Sequence, residues 1–283
     1  LYNGFMNRAK GDQIGYENYD PDPRRATSGS PVLWGPGAVI AGALLALWWI
    51  GSRMGLWTSY ILPSPSAVGA AFLDLVYSGR LREHLLSSLT RIGMGFTMSS
   101  AVALPAGILM GLRPRLRRAI SPLLEFMRHV PPLALLPLLI LWFGIGEGSK
   151  LAVIALASFF PAFINAMEGV MGCDRSLVEV GHAFGLSERE IIGRIVLPYS
   201  LPYVLAGLRL ALGYSWRSLI GAELLAASSG LGYMIQDAQA MSRPDVALVG
   251  IFVIGLVGIA SDGLFRVITS SLLVGRRWGD DAH

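Results

Sequence analysis

"EVGHAFGLSEREIIGRIVLP", Glu179 to Pro198, sets three glutamates and two arginines between two long runs of Leu, Ile, Val, Ala and Phe. Ser176 and Glu179 have the form of a capping box, in which hydroxyl and carboxylate each take a free backbone N–H at a helix start. That helix is expected to stop at Gly185, because glycine enters the left-handed conformation past a helix end without steric cost. A second box follows at once in Ser187 and Glu190, with Leu186 and Ile191 placed as its hydrophobic staple. Ile191, Ile192, Ile195 and Val196 give the second helix an apolar face, and Pro198 is expected to end it. Isolated helices this short are unstable in water. The pair must pack on this chain's own helix ends or in a cleft on another protein.

The flanking runs say where the segment sits. Of the 283 residues 53% are hydrophobic and 15% charged, with a mean hydropathy of +0.54, against about a quarter charged in soluble domains. Crossing a bilayer as a helix takes about 20 apolar residues, and such runs occur at roughly 32–52, 86–111, 123–144, 150–171, 199–225 and 246–274. The expectation is an all-α, polytopic membrane bundle of about six helices. Pro131, Pro132 and Pro137 fall inside the third run. They free backbone groups that only protein or a water-lined cavity can satisfy, which suits a bundle around a pathway. Residues 1–30, polar and without an apolar leader segment, are expected to form a flexible cytoplasmic tail ahead of a membrane domain over 31–283.

Arginine placement orients the spans. Arg113, Arg115, Arg117 and Arg118 lie between spans two and three, and Arg276 and Arg277 follow span six. Putting both groups in the cytoplasm puts both termini and the 174–198 loop there too. The net charge of +4 is too small to point to nucleic acid. One cysteine, Cys173, excludes an intrachain disulfide and a cysteine zinc site and reads as a lone buried thiol. No phosphate-binding G-x-x-x-x-G-K-[ST] loop, H-E-x-x-H or G-x-S-x-G motif occurs, so no catalytic or metal site is expected.

Glu179, Gly185, Ile195, Leu197 and Pro198 have the spacing E-A-A-x3-G-x9-I-x-L-P. In this the chain resembles the permease subunits of bacterial ABC importers, departing at Val180 and Gly181, where the family usually has alanines. "LPSPSAV", "PPLALLPLLILWFGIGEGSK", "LPYVLAGLRLALGYSW" and "AELLAASSGLGYMI" resemble the aliphatic-sulfonate, taurine and nitrate branch. The resemblance implies a type I importer fold in the bacterial plasma membrane, with two permease copies, a homodimer, forming the pathway. It implies two ABC ATPase subunits docked on the 174–198 loop, and a periplasmic or lipid-anchored solute-binding protein. ATP and magnesium would sit on the ATPase, with no cofactor on this chain. Glu179, Gly185, Leu186, Ser187, Ile195, Leu197 and Pro198 would form the ATPase-coupling element, although Glu179 equally reads as a helix cap. The implied cargo is a small anion, an aliphatic sulfonate or taurine. Nitrate, bicarbonate or a thiamine-precursor pyrimidine are alternatives within the class, and a channel or secondary transporter is the alternative outside it.

Ionisable residues inside spans are costly and count as functional candidates. At about 1.5 Å per residue, Arg209 and Asp262 lie roughly 16 and 18 Å from the inner ends of spans five and six. An Arg209–Asp262 pair is expected, to fix the helices or to meet solute. Arg217 and Glu223 lie further out. Arg217 stands where the family is more often apolar; it would offer a forked donor to an oxyanion, or else pair with an acid on a neighbouring helix. "SSGLG", Ser228 to Gly232, reads as a tight external turn that with Tyr233 and Gln236 would face the binding protein.

Overall fold

The computed structural model describes residues 34–273, with side chains described over 37–270; the proposed tail over 1–30 lies outside them. Among the described residues the secondary structure is helical, without a strand. The described residues up to 50 and those from 51 onward form separate units. Helix α1, Trp34–Arg53, starts in the first. The expected external segment 54–85 holds a helix, α2 (Pro65–Tyr77), whose N-cap Ser64 accepts a hydrogen bond from the Ala67 N–H.

Three long helices make the core: α3 (Arg80–Leu112), α6 (Glu147–Met171) and α9 (Leu197–Ala226). Helix α6 packs against α3 on one side and α9 on the other. The α3 contact is close because Gly95, Ser99, Ala103, Gly107 and Gly111 recur every fourth residue, and small residues let membrane helices approach backbone to backbone. A Cβ on Gly107 would run into the carbonyl oxygen of Phe163. Ala103, Met110, Ala162, Phe163 and Ala211 fill the centre.

Among the described residues four helices are long and apolar enough to cross a membrane: Arg80–Leu112, Glu147–Met171, Glu188–Ala226 and Pro244–Ser270. The last lies in α11, Pro244–Leu273. A fifth crossing is made if a bent pair is taken as one span, so the described residues account for up to five of the expected six; α1 contributes a shorter apolar stretch, Gly37–Arg53. The bent pair replaces the expected third span. Helix α4 (Pro114–His129) begins well before residue 123, and the chain then turns through 84° into Pro132–Phe143. The cause is local. Val130, before Pro131, is extended at φ −80° and ψ 117°, because a proline ring disfavours the helical conformation in the residue before it. A 3₁₀ turn, Pro132–Leu135, then leads into α5, Leu136–Phe143.

The quoted segment forms α7 (Arg175–Ala183) and a single helical turn α8 (Glu188–Ile191). Two expectations are corrected here. Asp174, not Ser176, caps α7, its carboxylate accepting from the Ser176 N–H at 2.9 Å. Pro198 does not end the second helix: α8 passes through a π turn, Ile192–Val196, straight into α9. A π turn widens the helix, which makes room for a proline ring that would otherwise press on the carbonyl four residues back.

Candidate functional site

Helices α7 and α8 form a built knob at one end of the bundle. Leu186 N–H donates to the Gly181 carbonyl at 3.1 Å and Gly185 N–H to that of His182 at 2.9 Å. This paired closure needs a left-handed residue, and Gly185 supplies it at φ +75°. Ser187 and Glu190 then form the expected capping box, the glutamate accepting from the Ser187 N–H at 3.0 Å. Leu186, Val178 and Ile195 pack with the buried Val170, Ile191 and Val196, which ties the knob to the end of α6. The unusual Gly181 has a reason: a Cβ there would lie 2.8 Å from Ile195 Cδ1 and 3.1 Å from Ile191 Cγ1.

With Asp174 as cap, Glu179 is not in the capping position; it lies exposed on α7. Ser187 and Leu197 are exposed, while Leu186, Ile195 and Pro198 are half-buried. The outward face carries a feature the sequence reading missed. Leu177, Val180 and Phe184 stand 43%, 52% and 82% exposed, at the i, i+3, i+7 spacing of a single helix face. That spacing was present in the sequence but hidden among the charges around it. Cys173, at the base of the knob, is half-buried, and burial pushes its thiol pKa up.

The opposite end of the bundle holds a buried ionic network. Glu223 is fully buried. It accepts from Arg91 Nη1 at 2.7 Å, from Ser88 Oγ at 2.8 Å and from the Gly232 N–H at 2.9 Å. Arg91 also donates to both carboxylate oxygens of Glu147, at 2.7 and 2.9 Å, and to the Ser229 carbonyl at 2.6 Å. Lys150 Nζ reaches Glu147 at 2.7 Å. The SSGLG segment is therefore more than a turn. It leads into a further helix, α10 (Leu231–Ala240), whose first N–H groups are capped from elsewhere: Leu231 by Ser88 Oγ, Gly232 by Glu223. A carboxylate at a helix start also meets the positive end of the helix dipole. Glu223 thus faces protein on every side instead of an open path. Arg91 and Glu147, which complete its surroundings, went unremarked in the sequence because they lie far from it along the chain.

The two arginines expected in span five differ. Arg209 and Asp262 form the expected pair, Nε to Oδ1 at 2.6 Å and Nη2 to Oδ2 at 2.7 Å, with Arg266 adding a contact at 3.3 Å. Both partners are about two-fifths exposed. The acidic partner considered for Arg217 is absent among the described residues. Arg217 is exposed, and its guanidinium lies over the Tyr214 ring at 5.5 Å from the centroid.

Comparisons with known proteins agree with this architecture. Residues 103–274 match the family described as "Binding-protein-dependent transport system inner membrane component". A putative aliphatic sulfonates transport permease protein of Bacillus subtilis is 38% identical over 240 residues, covering 85% of this chain and 87% of that one. The taurine transport system permease protein of Escherichia coli is 39% identical over 219 residues, covering 76% and 80%. Among solved structures, an inward-facing methionine ABC transporter, MetNI, superposes with a TM-score of 0.56 at 17% identity, over 68% of this chain and 97% of that chain, a likeness of fold. The long apolar helices, the knob between α6 and α9 and the match across 103–274 lead to one assignment: this chain belongs to the inner-membrane components of binding-protein-dependent transport systems.

Proposed function

We propose that this chain is the pathway-forming subunit of an ATP-driven importer for a small sulfonate such as taurine, and that α7 and α8 are its point of attachment to the ATPase. The observation that carries the reading is the exposed stripe of Leu177, Val180 and Phe184 on a knob that is otherwise firmly closed. An apolar face on a charged, water-facing helix fits an amphipathic helix lying in a partner's groove. The unbroken helix from α8 through the π turn into α9 would carry a push on the knob into a membrane span. Gly185 provides the bend, while Ser187 and Glu190 hold the start of the lever.

In this reading the knob faces the cytoplasm, in the bacterial plasma membrane, with both termini on the same side. Two copies of this chain enclose the path, and two ATPase subunits hold ATP and magnesium. The α10 end, with Tyr233 and Gln236, would receive the solute-binding protein. The named solutes of the relatives support a sulfonate as cargo. A formylaminopyrimidine transport permease of Halalkalibacterium halodurans, 31% identical, is the observation behind a second cargo reading.

The test is purification of the full chain from its native membrane with identification of whatever accompanies it. An ATPase that co-purifies, and is lost when residues 176–196 are deleted or Phe184 becomes Asp, supports the attachment. ATP-dependent uptake of labelled taurine then supports the cargo. A chain recovered alone that moves solute without ATP would point instead to a channel or secondary carrier.

A further inference from the structure

We propose that the polar face of α4 lines the solute path, and that Arg128 and Arg217 form two sides of a subsite for one anionic group of sulfonate type. The proposal rests on the importer reading above and adds residues to it. Helix α4 follows directly on α3 at the knob end, and although none of its residues is buried, its far end lies well along the bundle from there. Phe126 and Met127 line an apolar cleft of about 210 Å³ with Leu156 and Phe160 of α6. Those two residues lie 15 and 11 positions before Met171, or roughly 22 and 16 Å from the end of α6.

At 100° per residue α4 divides cleanly. Leu116, Leu123, Phe126 and Met127 fall on one side, and Arg118, Ser121, Glu125, Arg128 and His129 on the other. Ile120 and Leu124, along one edge, pack into the central cluster, which leaves the two broad faces exposed. The apolar face can meet lipid. The polar face cannot do so cheaply, because charges at that depth default to a water-filled cavity or an ionic partner. Among the described residues neither Arg128 nor Arg217 forms an ion pair, unlike Arg91 and Arg209.

The two arginines lie beyond the same central cluster. Leu124 and Ala211 of α9 both belong to it. Arg128 is four residues beyond Leu124 and Arg217 six beyond Ala211, so along helices that both leave the knob end they lie roughly 6 and 9 Å past their own places in that cluster. They also border the same bend. Gly221, one turn past Arg217, is where Leu133 of the α4–α5 connection packs, 2.7 Å from where a Cβ would stand. Residues four apart share a helix face, which turns Arg217 toward the side of α9 that meets the bend. Tyr214 supports the Arg217 guanidinium from below, leaving its planar fork of donors for an oxyanion.

The experiment uses the full chain expressed with its partners, with Cys173→Ser as background. Arg128→Cys, Arg217→Cys and Leu123→Cys are each treated with a water-soluble methanethiosulfonate that itself bears a sulfonate. Positions 128 and 217 are expected to react, while position 123 on the apolar face stays unlabelled. In parallel, Arg128→Gln is expected to lower taurine uptake by roughly 10-fold and Arg128→Lys to retain part of it. A transporter that carries taurine while 128 and 217 stay unlabelled, or whose taurine uptake Arg128→Gln leaves unchanged, overturns this inference alone. A wild type that carries no sulfonate overturns the importer reading with it, so uptake and labelling separate the two failures.

Discussion

Arg91 illustrates how one side chain can hold several elements. Its guanidinium joins α3 to Glu223 of α9, Glu147 of α6 and the Ser229 carbonyl ahead of α10. Removing one partner of a buried ion pair leaves the other charged and unpaired, at a cost of about 3–5 kcal/mol. Arg91→Ala and Glu223→Ala are therefore each expected to lower Tm sharply in detergent, and Arg91→Leu with Glu223→Leu to recover part of the loss. Additive losses in a double-mutant cycle would contradict a coupled pair. Phe184 should behave in the opposite way. At 82% exposure its replacement by Ala should change stability by less than about 0.5 kcal/mol, while ATPase recovery with the chain falls. A Tm loss as large as that of Arg91→Ala would make Phe184 a packing residue instead.

At the scale of elements, the knob combines legible and illegible features. Gly185 and the Ser187–Glu190 box could be read in advance because turn and cap chemistry depends on neighbouring residues. Asp174 outcompeted Ser176 as cap because the chain leaves α6 at Gly172, so the first free N–H groups of α7 lie next to Asp174. Asp174→Ala is expected to cost about 1 kcal/mol, and Ser176→Ala much less; equal losses in thermal unfolding would reverse that assignment. Pro198 was misread because a proline stops a regular helix but not one that widens just before it. Pro198→Ala should let the π turn relax to α-helical spacing, rotating α8 against α9 by roughly 100° for the residue gained. ATP consumption and solute uptake should then come apart, which paired ATPase and uptake assays on the reconstituted transporter would detect. Unchanged coupling would show that the π turn transmits nothing.

For the whole molecule, Arg209 and Asp262 offer the simplest test of how α9 and α11 are joined. Arg209→Asp or Asp262→Arg alone should lower Tm and uptake, whereas the double exchange should restore Tm if the pair only holds helices together. Restored Tm without restored uptake would place the pair in the path as well. The apolar runs, the charged interruption between them and its two turn signals could all be read from local chemistry alone. Helix formation, membrane length and capping depend on residues within a few positions of one another, so the all-α membrane class and the knob were legible. Only the tertiary structure decided that the third span breaks by 84° at Val130. It also decided that Glu223 is enclosed by Arg91 across 132 positions, while Arg217 has no acid partner among the described residues. Whether a buried charge is paired depends on which helices meet and at what depth, and that is settled by packing across the bundle, beyond the reach of local sequence patterns.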